Sequence, residues 1–178
     1  MRRPAGLDNC LVENEVVYAS HTLLGGNWVG GLFSKVDINK GSVICEYTGK
    51  LLTKDEENTS MSDYLMSVRN PQDLRRRVVI DGDPRKYFNI SGYANYSDNQ
   101  YANSYFVDST CKGGKCNMIL VAKELIPVGT EIRVDYDMGS SAHPFRDMMI
   151  LKGIYNDCKQ EYKTIKWEAP LNLTPTKN

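Results

Sequence analysis

Residues 119–136, ILVAKELIPVGTEIRVDY, hold the pattern from which the rest of the chain can be read. Ile119 to Ala122 is a short apolar run, Pro127-Val128-Gly129-Thr130 is a turn, and Glu131-Ile132-Arg133-Val134-Asp135-Tyr136 alternates as a strand does. Upstream, Ser104 to Asp108 and Asn117 to Ala122 read as the two arms of a hairpin turned at Gly113-Gly114. Further out, the pattern repeats in Leu32-Phe33-Ser34 and Ser42 to Tyr47, separated by the turn Asn39-Lys40-Gly41. Glu15 to Ala19, Tyr64 to Val68 and Val78 to Asp81 are further strands, with turns at Asn70-Pro71-Gln72-Asp73 and Gly82-Asp83-Pro84. Helix signals are few. Thr53 followed three residues later by Glu56 is a helix start, and Pro144 to Ile154 suits one amphipathic helix. Many short strands with few helices predict a mostly-β fold.

Two stretches do not fit a strand pattern. Leu24 to Gly31 is rich in glycine, which reads as a loop before the strand at Leu32. Gly92 to Asn103 is polar, with few aliphatic residues and several aromatics, as expected of a loop lining a polar site. Residues 169–178 look like a frayed tail.

The chain has 178 residues, with 22 Lys+Arg balanced by 22 Asp+Glu. That length suits one domain and a core that needs no disulfide or metal staple. The charge balance argues against a strongly basic nucleic-acid binder. No apolar run reaches the roughly 18 residues of a membrane span, and the amino terminus lacks the apolar stretch of a secretory signal. Five cysteines, an odd number, suit an intracellular chain with reduced thiols. Cys111 and Cys116 alone lie close together, with no nearby histidine, so no zinc site is expected. There is no Gly-x-Ser-x-Gly elbow, no H-E-x-x-H and no P-loop.

Taken in order, four pieces resemble the SET domain. Gly31-Leu32-Phe33-Ser34 followed by Ile38 to Gly49 is similar to that family's opening, GxGLFA and then I-x-x-G-x-x-I-x-E-Y-x-G. Asn95-Tyr96-Ser97 sits where the family has Asn-His-Ser, with Asn103 near its following asparagine. Residues 119–136 resemble its closing pattern, A-x-x-x-I-x-x-G-E-E-L-x-x-D-Y. Val29 stands at the first glycine of GxG, Tyr96 replaces the histidine, and the flanking cysteine clusters of many members are absent from this sequence. The resemblance implies a SET-domain fold: several small β-sheets, few short helices and a knot-like C-terminal threading. It divides the chain into an extension (1–14), the SET domain (15–140) and a C-terminal flank packed on it (141–178).

The same resemblance implies a protein-lysine N-methyltransferase using S-adenosylmethionine, with a histone tail as the expected substrate. Such a reaction needs alignment, exclusion of water and a neutral amine, all of which an aromatic channel favours. By resemblance, Tyr136 and Tyr47 are the catalytic candidates. Trp28, Gly30, Gly31, Leu32, Tyr64, Asn95, Tyr96 and Tyr136 are the cofactor-binding candidates. Tyr47, Tyr105, Phe106, Val134 and Tyr136 are expected to line the substrate channel, with Tyr105 and Phe106 undecided as the residue limiting the number of methyl groups. Phe145, Tyr155, Tyr162 and Trp167 are candidates to cover it. No metal ligand is expected. Asp98, Asp108, Asp135 and Asp137 could form an acidic groove for a basic peptide. No nucleic-acid or membrane partner is expected, a homodimer is open, and the location implied is nuclear or chromatin-associated. The competing readings are a SET-like peptide-binding module without turnover, or a methyltransferase of a non-histone protein.

Overall fold

The computed structural model describes residues 12–24, 27–70, 72–108, 118–137 and 144–153. Its first large feature is a hairpin of two eight-residue strands, β2 (Val17–Leu24) and β3 (Asn27–Ser34), preceded by the short β1 (Val12–Glu13). Their register runs unbroken from Val17 opposite Ser34 to Leu24 opposite Asn27. The glycine-rich stretch is therefore mostly strand, where the sequence suggests a loop. The reason lies across the sheet. A Cβ on Gly31 would come within 2.9 Å of the Thr22 side chain and 3.1 Å of the Glu131 carboxylate, so this strand position has no room for a side chain.

The next strands are β4 (Val43–Tyr47) and β5 (Lys50–Leu51), followed by helix α1 (Lys54–Thr59). Thr53 caps α1 in a complete capping box with Glu56, as the sequence predicts. Strands β6 (Leu65–Arg69) and β7 (Arg77–Asp81) form a hairpin that β5 completes as a three-stranded sheet in the order β5-β7-β6. A single 3-10 turn (Ile90–Tyr93) leads into β8 (Asn95–Tyr96). Strands β9 (Ser104–Asp108) and β10 (Met118–Ala122) pair antiparallel, as the two predicted arms should; the turn between them lies outside the described residues.

Strand β11 (Glu131–Val134) joins these pieces. It pairs antiparallel with β3 through Glu131 and Ile132 and then parallel with β8 on that same edge, and parallel with β9 on the opposite edge. The expected small sheets are thereby linked into one path, β1-β2-β3-β11-β9-β10-β4, with β8 alongside β11. Asn103 reinforces the junction: its side-chain amide donates to the Glu131 carbonyl at 2.9 Å and accepts from the Arg133 N–H at 2.9 Å. The core gathers around this strand, with Leu32, Leu120, Ile126, Ile132 and Val134 wholly buried. Each such side chain contributes on the order of 1.5–3 kcal/mol by leaving water. Helix α2 (Pro144–Leu151) packs through Met149 against Tyr96. The fold is mostly β, as the sequence predicts. Residues that would carry the knot-like threading and the frayed tail lie outside the described ones.

Candidate functional site

Strand alternation sets the β9 wall of the site: Phe106 turns inward while Tyr105 faces out and is 43% exposed. On β4, where the pairing with β10 bulges at Ile44, both Ile44 and Tyr47 are buried. The rings of Tyr47 and Phe106 meet edge to face, 5.7 Å between centroids. The Tyr47 hydroxyl donates to the Tyr64 carbonyl at 2.7 Å, tying β4 to the residue just before β6. Gly82 makes this possible, because a Cβ there would come within 2.4 Å of the Tyr47 ring.

Tyr136 follows β11 by two residues. Its hydroxyl donates to the Ala94 carbonyl, and its ring meets Tyr96 at 5.6 Å and Phe145 at 5.3 Å, both near edge-on. Tyr47, Tyr64, Phe106, Tyr136 and Phe145 thus line one cavity of about 260 Å³, with Leu65 and Met66 on its β6 side. Among the described lining residues, Asp63 contributes the one carboxylate. Burial raises the hydroxyl pKa of Tyr47 and Tyr64; for Tyr47 the neighbouring Asp81 adds to this, and for Tyr64 Arg85, 5.5 Å over its ring, opposes it. Both are therefore neutral phenols at physiological pH. Burial also pushes the Cys45 thiol up to about 12, which removes it as a nucleophile.

A second group lies on the other side of Tyr136. Asn95 on β8 donates from its amide nitrogen to the Gly30 carbonyl at 3.0 Å and to the Glu131 carboxylate at 3.1 Å. This brings the Gly30 segment and the Asn95-Tyr96 segment together. β11 pairs with β3 at Leu32 and Phe33, and among the described strands none pairs with that edge of β3 from Trp28 to Gly31. Among the described residues, the edge beside Asn95 offers main-chain groups and the oxygen of the Asn95 amide, whose nitrogen alone is engaged. That donor set fits the amino-acid end of S-adenosylmethionine.

The predicted residues divide accordingly. Tyr47, Tyr64, Phe106 and Tyr136 meet at the cavity; Gly30, Asn95 and Tyr96 meet beside it. Leu32 is a core residue, and Gly31 is occupied by Thr22 and Glu131 packing on it. Val134 is wholly buried in the core and Tyr105 faces solvent, so neither is among the lining residues. Backbone pairing places Trp28 opposite Leu23; its side chain, with Tyr155, Tyr162, Trp167 and the cysteines at 111 and 116, lies outside the described residues.

Three of the four acidic residues expected to form a groove for a basic peptide are engaged within the fold instead. Asp108 is held by Arg69 and Arg77, both at 3.3 Å. Asp135 is buried and accepts the Asp137 N–H at 2.9 Å. Asp137 is buried, accepts the Phe145 and Arg146 N–H groups at 3.0 and 3.2 Å, and receives the Tyr96 hydroxyl at 3.3 Å. It therefore caps the start of α2 and holds Phe145 in the cavity wall. Burial and the nearby Asp137 raise the hydroxyl pKa of Tyr96. The sequence reading places Asp137 in an acidic groove and misses its capping role; Glu131, which acts through buried side-chain hydrogen bonds, and Gly82, which acts through packing, escape it because neither carries a residue-type signature.

Residues 30–137 match the family described as SET domain. Histone-lysine N-methyltransferase mes-4 of Caenorhabditis elegans is 30% identical over 140 residues, covering 72% of this chain and 15% of that protein. The chain therefore spans a small part of that relative. The methyltransferase domain of human PR domain-containing protein 2 superposes with a TM-score of 0.56 at 16% identity, covering 73% of this chain and 82% of the other. ATXR5, solved with histone H3.1 mono-methylated on R26, gives 0.50 at 22% identity, covering 61% and 52%. These solved structures share the fold.

Proposed function

Because the chain belongs to the SET-domain family, we propose that it is a protein-lysine N-methyltransferase using S-adenosylmethionine and acting on a histone tail at chromatin. The observation that carries this is the position of Tyr136. Its ring closes the aromatic cavity on one side and touches Tyr96, neighbour of Asn95, on the other. S-adenosylmethionine, when bound, supplies an electrophilic methyl group on a sulfonium. Gly30, Asn95 and Tyr96 would hold it.

The cavity residues then act on the lysine. Its aromatic and aliphatic walls destabilise an ammonium relative to the free amine, so the side chain sheds its proton to water before it is enclosed. Aromatic faces attract the cation as it enters. Both hydroxyls, on Tyr47 and Tyr136, direct their protons to backbone carbonyls. With those protons engaged, each phenol meets an amine through its oxygen, which can take an amine N–H and turn the nitrogen lone pair along the reaction axis. Neither phenol serves as a base in this scheme.

The test is transfer of labelled methyl from S-adenosylmethionine to core histones, wild type beside Tyr136→Phe. Label on a lysine, falling at least about tenfold in the variant, is the expected result. Undiminished label in Tyr136→Phe would refute the role of this tyrosine. Failure of the wild type to bind S-adenosylmethionine would refute the cofactor assignment.

A further inference from the structure

Glu131 is a buried carboxylate in the middle of the sheet junction, and four features converge on it. Arg133 donates from two guanidinium nitrogens at 3.0 and 2.6 Å. Thr22 donates from its hydroxyl at 3.3 Å and Asn95 from its amide at 3.1 Å. Gly31 lacks the Cβ that would press on the carboxylate at 3.1 Å. Both members of the Glu131–Arg133 pair are nearly enclosed, with side-chain exposures of 9% and 12%. Enclosed ion pairs add little net stability compared with apolar packing of the same volume. The pair's distinctive consequence therefore lies in what it orients.

That consequence is the direction of the Asn95 amide. An amide can present either its nitrogen or its oxygen to a neighbour. Here both neighbours, the Gly30 carbonyl and the Glu131 carboxylate, are acceptors only, so the nitrogen must face them. The oxygen is left facing away. We infer that Glu131 is a positioning residue that makes Asn95 an obligate acceptor, selecting a cofactor that carries a cationic amine at that point. This rests on the reading that Asn95 holds the amino-acid end of S-adenosylmethionine.

Glu131→Gln inverts the arrangement. Arg133 donates only, so it takes the new amide oxygen and leaves the new amide nitrogen toward Asn95. Two donors then oppose each other unless Asn95 turns over, which sets its own nitrogen toward the cationic amine.

The full chain, as wild type, Glu131→Gln, Asn95→Ala and the double variant, is titrated calorimetrically with S-adenosylmethionine and with 5′-methylthioadenosine, which lacks the amino-acid end. Glu131→Gln is expected to weaken S-adenosylmethionine about tenfold and leave 5′-methylthioadenosine within twofold. In the Asn95→Ala background the same substitution should have no further effect. Should Glu131→Gln fail to fold, Glu131→Asp keeps the charge but draws the carboxylate out of reach of Asn95, with the same selective loss expected. Equal weakening of both ligands, additive losses in the double variant, or no loss at all would overturn the positioning role. A folded wild type that binds neither ligand would instead overturn the cofactor reading beneath it.

Discussion

Asp137→Ala should loosen helix α2 and open the cavity with little disturbance of the sheet. The carboxylate accepts two backbone N–H groups at the start of α2 and one tyrosine hydroxyl. Removing a helix cap costs typically about 1 kcal/mol, and leaving a further buried donor unsatisfied costs about 1–3 kcal/mol. The sum is roughly 2–4 kcal/mol. For a domain of this size that corresponds to a fall in Tm of about 4–16 °C. Asp137→Asn keeps one acceptor oxygen and should lose about half as much. Phe145 is carried on the helix that Asp137 anchors, so KM for a lysine-bearing peptide should rise. Calorimetric melting with peptide kinetics on the three proteins checks this. An Asp137→Ala protein that melts within a degree of wild type with unchanged peptide KM would refute the anchoring argument.

Three further outcomes are expected. Phe106→Tyr adds a hydroxyl to the cavity and should shift products toward fewer methyl groups by mass spectrometry, whereas the solvent-facing Tyr105→Phe should leave the distribution unchanged. Gly82→Ala places a methyl against the Tyr47 ring and the Asn89 amide, and should lose roughly 1–3 kcal/mol in denaturant titration along with much of its turnover. Asp83 is held down to about 2 by its hydrogen bonds from Arg85, below an ordinary value of 3.8. Its contribution to stability is complete above the ordinary value and is lost as pH falls from there through about 2. Acid melting should show a step in that window that is smaller in Asp83→Asn.

What the sequence reveals and what it hides follow from the kind of interaction. The capping box of α1 is legible because one residue type at one spacing performs it. Most strands are legible from alternation, and so is the β9–β10 pairing. The β2–β3 hairpin is hidden because glycines read as loop, while the side chains that crowd position 31 are Thr22 across the hairpin and Glu131, a hundred residues away. The choice between Tyr105 and Phe106 turns on which face of β9 is inward, and one residue of register decides it. The capping role of Asp137 is hidden for a similar reason: its carboxylate serves the backbone of a helix that begins beyond it.

Strand β11 also governs how the chain reaches this structure. It joins β3 to β8 and β9, pairing Phe33 with Glu131 and Tyr96 with Val134. None of these contacts exists until the chain has been made past residue 134. The β2–β3 and β6–β7 hairpins can form early from local pairing, but the junction must close long loops before it is rewarded. Tyr136 arrives with that same strand. A ribosome paused before β11 therefore carries hairpins with an open edge and no assembled site, and the wait for β11 is the interval in which that exposed edge of β3 is open to pairing with another chain.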